Sequence, residues 1–151
     1  MIKSLVLPIG LCLGIGVTAV IAHEGATGTV KERMEAMKSM AGEMKALADM
    51  FKAPDTFDRD RAVAASQAVA SHAESIPDLF PEGSDHSPSK ASDAIWEDWD
   101  GFAADAVSLK DAALAFEVGV KDGAELAELK PEFAAMASDC QSCHENFRVP
   151  E

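Results

Sequence analysis

The stretch IWEDWDGFAADAVSLKDAALAFEVGV, residues 95–120, decides the fold. Its Ile95, Trp99, Phe102, Ala106, Leu109, Ala113, Phe116 and Val120 recur at alternating steps of four and three. That alternation keeps large side chains on one stripe of an α-helix, the seam by which helices pack on one another. A half-buried strand would need an apolar residue at every second position, and no segment shows it. Gly119 and Gly123 mark the expected end of this helix.

The same spacing recurs on both sides. Val30, Met34, Met37, Ala41, Met44, Ala48 and Phe51 predict a first helix over 29–52, with Thr29 and Glu32 as a capping box and Pro54 beyond its end. Ala62, Ser66, Val69, Ala73 and Ile76 predict a second over 58–76, whose small residues allow a neighbouring helix or a cofactor to come close. Residues 77–92 carry three prolines, Gly83 and four serines, and read as a long crossover loop anchored by Leu79 and Phe80. A last seam, Leu126, Leu129, Phe133, Met136, Cys140, Cys143 and Phe147, predicts a helix from 124 or 131 to 147, kinked or started by Pro131. Four such segments predict an all-α, antiparallel four-helix bundle with its cofactor between helices. The first and last helices are then antiparallel neighbours.

Within the last seam lies Cys140-Gln141-Ser142-Cys143-His144, the C-x-x-C-H signature of covalently attached haem c. Two thiols suit thioether bonds to the haem vinyl groups, and the adjacent imidazole suits the proximal iron position. A redox dithiol or a partial zinc site are the competing readings. The first needs a βαβ setting and the second more ligands at finger spacing, and neither is evident. Met37 lies about 12 Å along the first helix, so it and His144 can approach one haem from opposite faces.

Residues 1–22 read as a secretory signal peptide, with Lys3 as a basic start, an uncharged apolar run from Leu5 to Ile21 and cleavage after Ala22. An uncleaved membrane anchor is the alternative, since the run sits at the short limit for spanning a bilayer. Cleavage removes Cys12, leaves no pair for a structural disulfide and leaves a domain over 23–151. An exported chain with a haem c signature points to the periplasm, with no stable membrane anchor after processing. The chain has 13 basic and 26 acidic side chains, a formal charge of −13, which becomes −14 once Lys3 is lost with the signal. Such a surface disfavours nucleic acid and anionic lipid and steers toward basic redox partners, or serves solubility alone.

The chain resembles the class II cytochromes c, the cytochrome c′ family with its low-spin, Met-ligated relatives. The resemblance spans the whole mature chain. It rests on Cys140 to His144 followed by Phe147 and Arg148, on Arg33 with Met37 four residues later, on Leu79-Phe80-Pro81-Glu82-Gly83-Ser84, and on Ile95-Trp96 with Phe102. It implies one covalent haem c on Cys140 and Cys143, iron held by His144, and Met37 at the position facing the distal side of the haem. It also implies Arg33 beside a haem propionate, against the plainer reading of a solvated Arg. Many members pair through their first two helices, so the resemblance leaves a homodimer open; the basic tail of several members is not seen after Arg148.

Two functions follow from the resemblance. One is a non-enzymatic electron carrier with low-spin His144/Met37 iron. The other is a high-spin, five-coordinate protein that binds nitric oxide or carbon monoxide, with Met37 merely packed. A haem peroxidase would need a distal His, Arg and acid, which the sequence does not assemble. His23, His72 and His86 are weaker candidates for a metal, and Trp96 and Trp99 are expected in the core or beside the porphyrin.

Overall fold

The structure, a computed structural model, describes residues 25–150; the expected signal peptide and His23 lie outside them. Among the described residues five α-helices are formed: α1 (Gly28–Lys52), α2 (Arg59–Ser75), the short α3 (Ala94–Glu97), α4 (Trp99–Lys121) and α5 (Lys130–Phe147). No strand occurs among the described residues, only an isolated bridge between Ala91 and Arg148. The four long helices make the expected bundle, in which α2 packs on α1 and α4, and α4 packs on α5. Their antiparallel order shows in the cross-links. Gln67 of α2 meets Glu117 of α4 while Glu74 meets Lys110, and Phe102 meets Phe147 of α5 while Ser108 meets Asp139.

The central helix follows its seam, with one interruption. Phe102, Ala106, Leu109, Ala113, Phe116 and Val120 are all buried. The single helix expected from Ile95 is instead broken at Asp98, whose φ of −130° and ψ of 63° are not helical and whose carboxylate accepts from the Gly101 amide at 3.1 Å. This is an N-cap, and Asp is among the residues that make it best. A Cβ at Gly101 would press on the Asp98 carboxylate and displace it from this cap. Trp99 is 38 % exposed and borders neither end of the cavity near α5, against the expectation of a place in the core or beside the porphyrin, though its ring packs on Phe102 with centroids 5.6 Å apart. Trp96 stays half-buried and donates its indole N–H to the Phe80 carbonyl at 3.1 Å.

The far end of α4 closes with Gly123 at φ +83°, its amide bonded to the Val120 carbonyl and the next amide to that of Gly119. That is a Schellman turn, in which glycine avoids the Cβ penalty of the left-handed region. Gly119, expected as an end marker, instead lies inside the helix, where a Cβ would stand 2.7 Å from Leu129. It is a packing glycine. Arg59 at the start of α2 donates to the carbonyls of Val120, Gly123 and Ala124, satisfying groups that the helix end leaves over.

The capping box expected from Thr29 and Glu32 does not form. With α1 beginning at Gly28 and Thr27 in the cap position, Thr29 is already inside the first turn, and no side chain caps the helix. Pro131 falls at the second position of α5, so it starts the helix rather than kinking it. Leu126 precedes α5 and is only half-buried.

The first helix is rotated from its expected seam. Val30, Arg33, Ala36, Met40, Leu47 and Met50 are buried, Met34, Met37 and Met44 are half-buried, and Ala41 is exposed. Helix α1 packs on α2 and not closely on α5. At one end of this gap Phe51 and Phe133 touch, with ring centroids 4.8 Å apart. Beyond that contact α1 and α5 border a trough. Ala62, Ala65, Ala70 and Ala73 of α2 are spent in the bundle core, while Ala64 and Ser71 are exposed.

Candidate haem trough

Two cavities of about 360 and 340 Å³ lie against α1 and α5, and Met37, Cys143 and His144 border both. Shared walls make them two ends of one trough. Their volumes fall within the roughly 300–1,000 Å³ usual for cofactor sites. Ile95, Phe102 and Phe147 give the larger end an apolar floor. Met40, Met44, Ala106 and Leu109 do the same for the smaller end, which Cys140 also borders.

Helical spacing explains why the motif side chains meet here. Cys140, Cys143 and Phe147 follow one another at steps of three and four on α5, so when Phe147 anchors in the core the thiols share its side of the helix. Both thiols are half-buried. Burial, followed by the charge of Asp139, raises the Cys140 pKa. Burial, followed by Asp105 and then Cys140, pushes Cys143 up to about 12. Thiols so disposed make poor thiolates, unlike the activated, low-pKa thiol of a redox dithiol. A thioether carries no charge and fits the same apolar wall.

His144 borders both ends of the trough although it is exposed at the surface. Partial burial, followed by the positive charge of Arg148, lowers its pKa. A lowered value favours the neutral imidazole, the form that ligates metal. Across the trough, Met34 borders only the larger end, and Met40 and Met44 only the smaller. Among the described residues Met37 is the one methionine that borders both ends with His144.

The two ends differ in charge. Arg33, Lys38, Lys90 and Arg148 border the larger one, while Asp105 and Asp139 border the smaller. One Asp105 carboxylate oxygen is sealed from water without a hydrogen-bond partner. Burial, then Asp139 and Asp98, raises the pKa of this group. No signal in the sequence singled it out.

Arg33 is buried, at 3 % exposure, which removes the reading of a solvated side chain. Its guanidinium donates to the Ser84 hydroxyl at 3.2 Å, the Ser84 carbonyl at 2.6 Å and the Ser89 hydroxyl at 2.7 Å, and lies 4.3 Å from the centre of the Phe80 ring. Desolvation, offset in part by Asp85, lowers its pKa. The crossover loop is therefore drawn against α1. Its other side is stitched to α5, where the Val149 amide bonds the Lys90 carbonyl at 2.9 Å and the Ser92 amide the Phe147 carbonyl at 3.0 Å. Pro88 to Ala91 thus wall the larger end.

His72 bonds Ser39 at 3.0 Å between α2 and α1, and neither it nor His86 borders the trough. Among the described residues no three of His, Cys, Asp and Glu are grouped to hold a metal ion.

The donor set fits a haem. Cys140 and Cys143 would hold it covalently, His144 would bind the iron, the apolar walls would cover the ring, and Lys38, Lys90 and Arg148 at the larger end would meet its carboxylates. Bound there, the group supplies one-electron chemistry at iron.

The sequence profile of the Cytochrome C' family matches residues 28–148. A cytochrome c-556 of Agrobacterium fabrum is 35% identical over 131 residues, covering 82% of this chain and 83% of that protein. A cytochrome c′ of Pararhodospirillum photometricum is 35% identical over 120 residues, covering 79% and 94%. Among solved structures, cytochrome c′ from Rhodopseudomonas palustris superposes with a TM-score of 0.75 at 30% identity, covering 83% of this chain and 99% of that one. The match runs the length of the bundle and takes in Cys140 to His144, so the chain belongs to the cytochrome c′ family, which binds one covalent haem c with its iron.

Proposed function

We propose that the protein is an electron carrier, not an enzyme, in which His144 and Met37 hold the iron of one haem c in a low-spin state. The observation that carries this reading is the position of Met37, the methionine that borders both ends of the trough with His144. A thioether is a competent sixth ligand, and His/Met ligation raises the reduction potential, as suits a carrier. Nothing else is required of the protein than to hold the group, exclude water from its faces and leave an edge near the surface. His144 is itself exposed.

Residues 1–22 belong to this reading as a signal peptide that delivers the domain of residues 23–151 to the periplasm, where covalent attachment takes place. Redox partners presenting basic surfaces suit the formal charge of −13. Pairing of two copies is also part of the proposal, and the small residues Ala64 and Ser71 of α2 stay exposed and permit it. Sedimentation of the haem-loaded protein tests it.

Met37→Leu is close in volume and should cost under about 1.5 kcal/mol of stability. The expected result is a high-spin ferric iron, faster carbon monoxide binding on reduction, and a lower reduction potential. If this variant keeps a sulfur-ligated spectrum while substitution of Met34, Met40 or Met44 abolishes it, the ligand is another methionine. If the wild type already binds carbon monoxide as fast as Met37→Leu, the high-spin, gas-binding reading holds instead.

A further inference from the structure

We propose that Arg33 is a positioning residue that acts on the haem site through the crossover loop rather than by direct contact with the cofactor. The proposal rests on the haem reading of the trough and is independent of ligation by Met37. Its warrant is where the guanidinium spends its donors. One terminal nitrogen reaches the Ser84 hydroxyl, with the Leu79 carbonyl at 3.5 Å, and the other reaches the Ser84 carbonyl and the Ser89 hydroxyl. Of five N–H groups, four are thereby directed at the loop, and only the Nε–H lacks a role there.

The acceptors are themselves structural. The Ser89 hydroxyl also accepts from the Ala91 amide at 3.0 Å, so one oxygen joins Arg33 to the chain that walls the trough. Phe80 lies beneath the guanidinium plane and packs on Phe102 with ring centroids 4.8 Å apart, so the cation sits on the same aromatic group that floors the site. A planar fork suits this arrangement and a lysine ammonium does not. Arg33 lies one turn before Met37, so the loop is fixed to the segment of α1 that borders both ends of the trough. Holding Pro88 to Ala91 in place keeps water from that side of the cofactor. Solvent access is one of the levers that set a haem potential.

The test compares Arg33→Met with Ser84→Ala/Ser89→Ala, alone and combined, in haem-loaded protein whose mass confirms attachment. The readouts are the midpoint potential and hydrogen exchange at the Ser84 and Ser89 amides, whose own acceptors, the Pro81 and His86 carbonyls, neither variant removes. Charge-assisted hydrogen bonds of this kind predict exchange faster by roughly tenfold or more in both variants. Both should shift the potential in the same direction, and the combined variant should add little to either, as expected of partners in one interaction. Amides of α2 facing α4 should be unaffected. The proposal is overturned if Ser84→Ala/Ser89→Ala leaves exchange and potential at wild-type values while Arg33→Met moves the potential, which assigns Arg33 directly to a haem carboxylate. If Arg33→Met fails to fold, the serine variant alone decides, by faster or unchanged loop exchange. A wild-type spectrum without sulfur ligation would sink the Met37 reading and leave this comparison intact.

Discussion

Asp105 is a side chain at the edge of the trough whose ionised form the fold disfavours. Its sealed, unpartnered oxygen and the nearby Asp139 and Asp98 make the ionised form unfavourable, so its folded pKa lies above the unfolded one. The stability linked to such a group is complete below the unfolded pKa and is lost as pH rises through the folded value. Asp105→Asn should therefore raise the stability of the haem-loaded protein at pH 7 by on the order of 1 kcal/mol. In denaturant titrations that advantage should shrink as pH falls through the raised folded pKa and be gone below the ordinary carboxylate value; equal stability at pH 7 would refute the account of Asp105. Sequence reading found Cys140, Cys143 and His144 because their chemistry is local, three residues within one turn and a half of helix. It could not find Asp105, whose neighbours come from other parts of the chain. For Arg33 it found the residue and not its partners, since Ser84 and Ser89 lie more than fifty residues away.

At the scale of the element, the helices were legible wherever a large apolar residue recurs at each turn, and their ends less so. The seam from Phe102 to Val120 is buried as expected because α2 and α5 press on α4 from either side. In α1 the methionines at 34, 37 and 44 read as core, yet they flank the buried stripe. The physical reason is that a cofactor trough demands the same apolar side chains as a protein core, and periodicity does not separate the two. End signals depend on backbone geometry that the pattern does not encode, which is why Asp98 interrupts a seam that is continuous in sequence. The contact between Arg59 and the end of α4 is another such case, joining residues about sixty positions apart. Arg59→Ala leaves carbonyls of the Schellman turn without that partner and should destabilise the protein by about 1–3 kcal/mol. Thermal unfolding should show it; a change within about 0.5 kcal/mol, as at an ordinary surface site, would mean that water replaces the guanidinium fully.

Across the whole molecule, charge and cofactor site are arranged differently. The formal charge is −13, yet Arg33, Lys38, Lys90 and Arg148 gather at the larger end of the trough. Haem carboxylates placed there would offset part of that positive charge and leave the acidic surface to govern encounter. Electron exchange with a basic partner protein should then slow as salt is raised from about 10 mM toward 1 M, because the screening length falls from about 30 to 3 Å. A rate independent of salt would mean that the charge serves solubility alone. The four-helix architecture was readable from the seams together, since four apolar stripes joined by two short links and one long one leave few ways to be buried. Periodicity alone did not show the open side between α1 and α5, since a bundle closed on all sides would show the same pattern; the positions of Met37 and His144 pointed to it. What that open side does depends on how iron is held in it, and the most direct measurement is the absorption and electron paramagnetic resonance spectrum of the wild-type ferric protein. Ligation by His144 and Met37 predicts a low-spin signal with the weak far-red sulfur-to-iron band, and a high-spin signal lacking that band would contradict it.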